Sequence, residues 1–173
     1  DDVLSLVDND FALTEPTTDG AVEVTHSLFD QEGADGAVIE SFTYNGTKYT
    51  LDDTDATEQD FAVSDGTVYI TLDGEFRFVP DRDLDHSTVD PIESTVVFTA
   101  VDGDGDTQTA TIDLSIADGE LPIITNVTGL SLDEAGLGDG SSPDNDHITG
   151  TGTITTTVGS DDIARYELEP SEF

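Results

Sequence analysis

The sequence has no cysteine, methionine or tryptophan, and among its 173 residues only four are Lys or Arg. Without cysteine there is no disulfide framework and no thiol chemistry. With Lys48, Arg77, Arg82 and Arg165 as its only fixed cations, the chain has no basic face for phosphate, so nucleic acid and anionic membranes are not expected partners. No run approaches the roughly 18 apolar residues that cross a bilayer, and no basic-then-apolar signal opens the chain. Membrane insertion is therefore not expected. Three histidines, His26, His86 and His147, are scattered without metal-ligand spacing. They read as surface or strand residues.

What is abundant is negative charge. Forty Asp and Glu give a formal net charge of −36, and such self-repulsion opposes a compact state unless ions screen or neutralise it. Acidity of this degree also occurs in disordered chains. Here, however, 35% of residues are hydrophobic, and they fall in short alternating runs that match half-buried strands.

Val22-Glu23-Val24-Thr25 is one such run. Val38 to Tyr44 and Thr47 to Leu51 form another pair around Asn45-Gly46, a strong hairpin signal because both turn positions need positive φ. Thr67 to Leu72, Asp73-Gly74 and Glu75 to Val79 give a second hairpin. Val96 to Val101 and Thr109 to Ile116 give a third, joined by Asp102-Gly103-Asp104-Gly105-Asp106. Phe42, Tyr44, Tyr49, Phe76, Phe78 and Phe98 occupy alternate positions and read as core. This spacing of strands and Gly/Asp turns predicts an all-β, immunoglobulin-like sandwich over residues 1–118. Residues 119–122 read as a linker, and 123–173 as the beginning of a second, related β module.

An internal repeat supports the second module. Leu13-Thr14-Glu15 recurs as Leu132-Asp133-Glu134, and Gly33-Ala34-Asp35-Gly36-Ala37 as Gly159-Ser160-Asp161-Asp162-Ile163. The polar stretch from Gly140 to Asp146 accounts for the difference in spacing. The second copy holds too few residues for an independent core. It is expected either to pack on the first module or to await further strands.

Asp102, Asp104 and Asp106 place three carboxylates at alternate positions of a glycine-rich loop. Calcium takes 6–8 oxygens at about 2.3–2.6 Å, which convergent carboxylates can supply. Flanking helices are lacking, so this is not an EF-hand, and a plain hydrogen-bonded turn is the competing reading. A second tier comprises Asp118 in the linker, Glu15 and Glu134 at matched positions, and Asp35, Asp161 and Asp162 in matched turns. At a junction between tandem sandwiches these groups can converge on one ion and stiffen a flexible linker. The triplets Asp8-Asn9-Asp10 and Asp144-Asn145-Asp146 are similar in type. Salt adaptation is the rival source of the charge, but it spreads acids over all faces rather than at loops and a junction.

The chain resembles the tandem immunoglobulin-like (cadherin-like) modules of bacterial RTX adhesins exported by type I secretion. The likeness is carried by Gly33-Ala34-Asp35-Gly36, Tyr69 to Phe78, Val97 to Thr107 and Ile116 to Pro122. It implies a calcium-rigidified extender outside a Gram-negative cell, either a plain stalk repeat or a split module from which ligand-binding domains project. Its partners would be neighbouring repeats and ligand-binding domains of the same polypeptide, with the chain itself monomeric. A module that binds carbohydrate, protein or ice is the alternative, with Thr153 to Thr157 as its Thr-dense candidate surface. An enzyme is not expected, since no nucleophile or metal motif supports one.

Overall fold

The computed structural model describes residues 3–129, 141 and 151–167. In chain order the first strands are β1 (Leu4–Leu6), β2 (Asn9–Thr14), β3 (Val24–Ser27), β4 (Phe29–Glu32), β5 (Ala37–Tyr44) and β6 (Thr47–Thr50). Then follow β7 (Gln59–Val63), β8 (Gly66–Ile70), β9 (Glu75–Pro80), β10 (Ile92–Asp102) and β11 (Thr107–Ala117). The last two are β12 (Ile123–Val127) and β13 (Ile154–Thr157). The described residues contain no helix.

Local turn chemistry sets much of the pairing. Asn45 and Gly46 take φ of 46° and 84°, as a two-residue I′ turn requires, and Tyr44 faces Thr47 across the β5–β6 hairpin. The Asp73-Gly74 turn joins β8 to β9, with Ile70 opposite Phe76. The Asp102–Asp106 loop joins β10 to β11, with Val101 opposite Thr107. All three expected hairpins are present. The strand expected from Val22 begins at Val24, and β7 completes a sheet that the alternation of the sequence left one strand short.

Two sheets make the sandwich. One has the order β2-β11-β10-β5-β6 and the other β3-β9-β8-β7. The fold is therefore all-β and immunoglobulin-like. Its pairs are antiparallel except β2 with β11, which run parallel with Leu13 opposite Ile116. Phe42, Phe76, Phe78 and Phe98 are essentially inaccessible to solvent and Tyr44 nearly so. The rings of Phe76 and Phe98 meet edge to face across the sheets, with centroids 5.3 Å apart. Burying each of these side chains contributes about 1.5–3 kcal/mol.

A polar cluster is buried at one edge of this core. The Tyr44 hydroxyl donates to Asp65 Oδ2 at 2.8 Å, and Ser94 Oγ donates to the same oxygen. Burial above all, with the negative charge of Asp65 adding to it, pushes the Tyr44 phenol well above its usual range. The phenol therefore stays a proton donor.

Strands β12 and β13 form a separate antiparallel pair, with Ile123 opposite Thr157. Ile123, Ile124 and Val127 remain largely exposed there.

Candidate metal centre

Parallel pairing decides where the acidic groups meet. Because β2 and β11 run the same way, their C-terminal ends lie side by side, and the Glu15 amide donates to the Ala117 carbonyl at 2.9 Å. Glu15 and Asp118 thus leave the sandwich at one pole. The loop after β9 crosses this pole. There the Leu84 amide donates to Glu15 Oε1 at 2.6 Å, and the Asp118 amide donates to Asp90 Oδ1 at 3.0 Å.

Residues 159–162 close the site from the other side. Ser160 is fully buried; its amide donates to the Glu120 carbonyl at 2.9 Å, and its carbonyl accepts from the Asp83 amide at 3.2 Å. The Asp162 amide reaches Asp83 Oδ1 at 2.9 Å, while Arg82 pairs with the Asp162 carboxylate at 2.7 Å. Glycine makes the approach possible: a Cβ on Gly159 would stand 1.6 Å from the Glu120 carbonyl oxygen, and one on Gly119 2.6 Å from Ser160 Cβ.

The electrostatics of this junction are unbalanced. The Glu15 side chain has no solvent exposure, yet its Oε2 has no hydrogen-bond partner, and neither has the buried Oδ1 of Asp118. Burial, followed by the charges of Glu15, Asp118 and Asp83, holds the Asp161 carboxyl above its usual range. Arg82, the nearby guanidinium, is turned to Asp162 rather than to Glu15. A buried carboxylate without a countercharge costs several kcal/mol, and a bound cation offsets that cost.

Potential ligand atoms of Glu15, His86 and Asp118 all lie within 4.8 Å of one another. Two oxygens on one calcium at its usual bond length are separated by at most about 5 Å, so the carboxylate oxygens of Glu15 and Asp118 fit such an ion. Glu15 and Asp118 would hold it, with Asp161 as the nearby carboxylate whose charge they oppose, and the ion would supply positive charge that Arg82, paired with Asp162, does not give them.

The second acidic cluster lies at the opposite end of β11, about 35 Å away at the usual rise of a strand. Asp102, Asp104 and Asp106 also bring carboxylate oxygens within 4.8 Å of one another. Asp35 joins them, its Cβ standing 3.0 Å from where a Cβ on Gly103 would be. Asp102, then partial desolvation, then Asp35 and Asp106 raise the Asp104 carboxyl above its usual range. This loop is nonetheless satisfied as a turn. Asp102 Oδ1 accepts from the amides of Gly105 at 3.0 Å and Asp106 at 2.8 Å, and none of its carboxylates is both buried and unpartnered.

The sequence ranks the Asp102 loop first and the junction second, whereas the buried, unpaired oxygens lie at the junction. Asp35 belongs to the loop pole and Asp161 to the junction. Asp162 is committed to Arg82 and Asp83. Glu134 and Asp144-Asn145-Asp146 lie outside the described residues. Asp8 caps the Thr111 amide at 2.7 Å, an ordinary strand-edge contact. Sequence reasoning misses Asp83, Asp90 and His86. The run Asp81-Arg82-Asp83-Leu84-Asp85 repeats the alternate-carboxylate spacing of the Asp102 loop and is the signal that points to this crossing segment. His86 is not a surface residue, since its side chain is only 5% exposed.

No family model matches the chain. No curated protein matches it either. Among solved structures the chain is similar to mouse clustered PcdhgC3 EC1-3, at 14% identity over 73% of this chain and with a TM-score of 0.36. The chain spans 37% of the length of that structure.

Proposed function

We propose that this chain is a calcium-stiffened stalk segment of a secreted bacterial adhesin, an extender that holds ligand-binding domains of the same polypeptide away from the cell surface. One observation carries the reading: buried, unpartnered carboxylate oxygens of Glu15 and Asp118 converge where residues 159–162 dock on the first sandwich. A cation there is bonded at once to the end of one module, to the linker and to the edge of the next. Such an ion turns a Gly-Pro linker into a fixed joint. The resemblance of the sequence to RTX adhesin modules supplies the setting, extracellular and on a Gram-negative surface.

Small-angle scattering of the full chain, in calcium and in excess chelator at matched ionic strength, tests the mechanism. The extender reading expects one well-defined elongated shape in calcium and a broader distribution in chelator. Identical scattering curves would remove calcium from the mechanism of stiffness.

A further inference from the structure

We infer that the junction also binds a borderline transition-metal dication of the Zn2+ type, with the imidazole of His86 as its nitrogen ligand. Calcium prefers oxygen ligands and gives no reason for an imidazole at this place. Yet His86 is buried here, and neither Nδ1 nor Nε2 has a hydrogen-bond partner. A neutral imidazole carries one donor and one acceptor, and burying both unmet is costly. Coordination resolves this.

The ring is placed for it. Nε2 faces Glu15 Oε2 at 3.8 Å, and Nδ1 faces Asp90 Oδ1 at 3.5 Å. Asp90 is itself fixed by the Asp118 amide. A carboxylate behind one ring nitrogen, orienting the other toward a metal, is the usual outer support of a metal-binding histidine. Glu15, His86 and Asp118 then provide two carboxylates and one imidazole within 4.8 Å of one another, a donor set that suits Zn2+ and its neighbours. The inference uses the site described above, but it does not depend on calcium being its natural occupant.

The test is made on the full chain, stripped with chelator and titrated at one fixed neutral pH with Co2+ as the visible probe and then with Zn2+. The expected result is one Co2+ per chain, displaced by Zn2+. Asp90→Asn should weaken Zn2+ binding about 10–100-fold, and His86→Gln by at least as much. Both variants should keep the calcium-induced rise in Tm of the parent, which also shows that they fold. In the unmutated chain, ring-nitrogen NMR should show Zn2+ perturbing one imidazole, which His86→Gln removes. Equal Zn2+ affinity in parent and His86→Gln, or perturbation of His26 or His147 instead, overturns the inference. A calcium response without Zn2+ binding would leave the stalk reading standing and remove this one. Zn2+ binding without a calcium response would do the reverse.

Discussion

The amide of Glu15 donates to the carbonyl of Ala117 at 2.9 Å, carrying the parallel β2–β11 pairing one residue past the end of β2 to the last residue of β11. That bond sets the Glu15 carboxylate beside Asp118, at the pole where the proposed joint lies.

Docking of residues 159–162 depends on glycine at position 159. Gly159→Ala would place a methyl against the Glu120 carbonyl, so the Ser160-to-Glu120 and Asp83-to-Ser160 bonds should break. Hydrogen exchange should show lost protection at the Asp83, Ser160 and Asp162 amides. Protection in β10 and β11 should be unchanged, because their core does not involve the turn.

The joint should also depend on pH when no metal is present. Asp161 binds its proton more tightly in the docked state than when free, because burial and neighbouring carboxylates disfavour its charge. Its contribution to docking is therefore fully present below the ordinary aspartate pKa, about 3.9. It is lost as pH rises through the raised folded value. In chelator, exchange protection of the Asp162 amide, corrected for the intrinsic rate, should fall as pH rises from that point. Protection that grows with pH would contradict the assignment.

At the other pole, Asp104→Asn should be nearly neutral. It relieves repulsion from Asp102, Asp35 and Asp106 and breaks no hydrogen bond that holds the loop, since those bonds use Asp102. Thermal unfolding in chelator should give an unchanged or slightly higher Tm. Most of the response to calcium should remain.

Within the core, Tyr44→Phe removes one of the two side-chain donors that hold the buried Asp65 carboxylate. The expected loss is about 1–3 kcal/mol, the cost of a buried polar group left short of a partner. Denaturant unfolding should show it as a lower midpoint with an unchanged slope.

The sequence makes the sandwich readable because its hairpins are written locally. Asn45-Gly46, Asp73-Gly74 and the Asp102 loop each specify a turn within a few residues, and alternation assigns the Phe42, Phe76, Phe78 and Phe98 core. The joint is assembled differently. Glu15, the loop from Asp81 to Asp90, Asp118 and the turn at Asp161 are far apart in sequence and meet through the parallel β2–β11 pairing together with the contacts of Leu84, Asp90 and Ser160. Repeat matching finds Glu15 and Asp161 but cannot separate Asp35, which goes to the opposite pole. His86 carries no spacing signature, because its partners come from other segments.

The most direct test of the central claim is calorimetric unfolding of the parent chain and of Glu15→Gln, each in calcium and in excess chelator at matched high ionic strength. A bound ion stabilises by about 4 kcal/mol at a thousand times its dissociation constant. The account predicts that the parent shows a calcium-specific rise in Tm and that Glu15→Gln loses most of it. In chelator the variant should be as stable as the parent or more so, since a buried unpaired charge has gone. A parent that unfolds at the same temperature in calcium and in chelator, or a variant that keeps the full rise, would contradict a calcium-filled joint at Glu15.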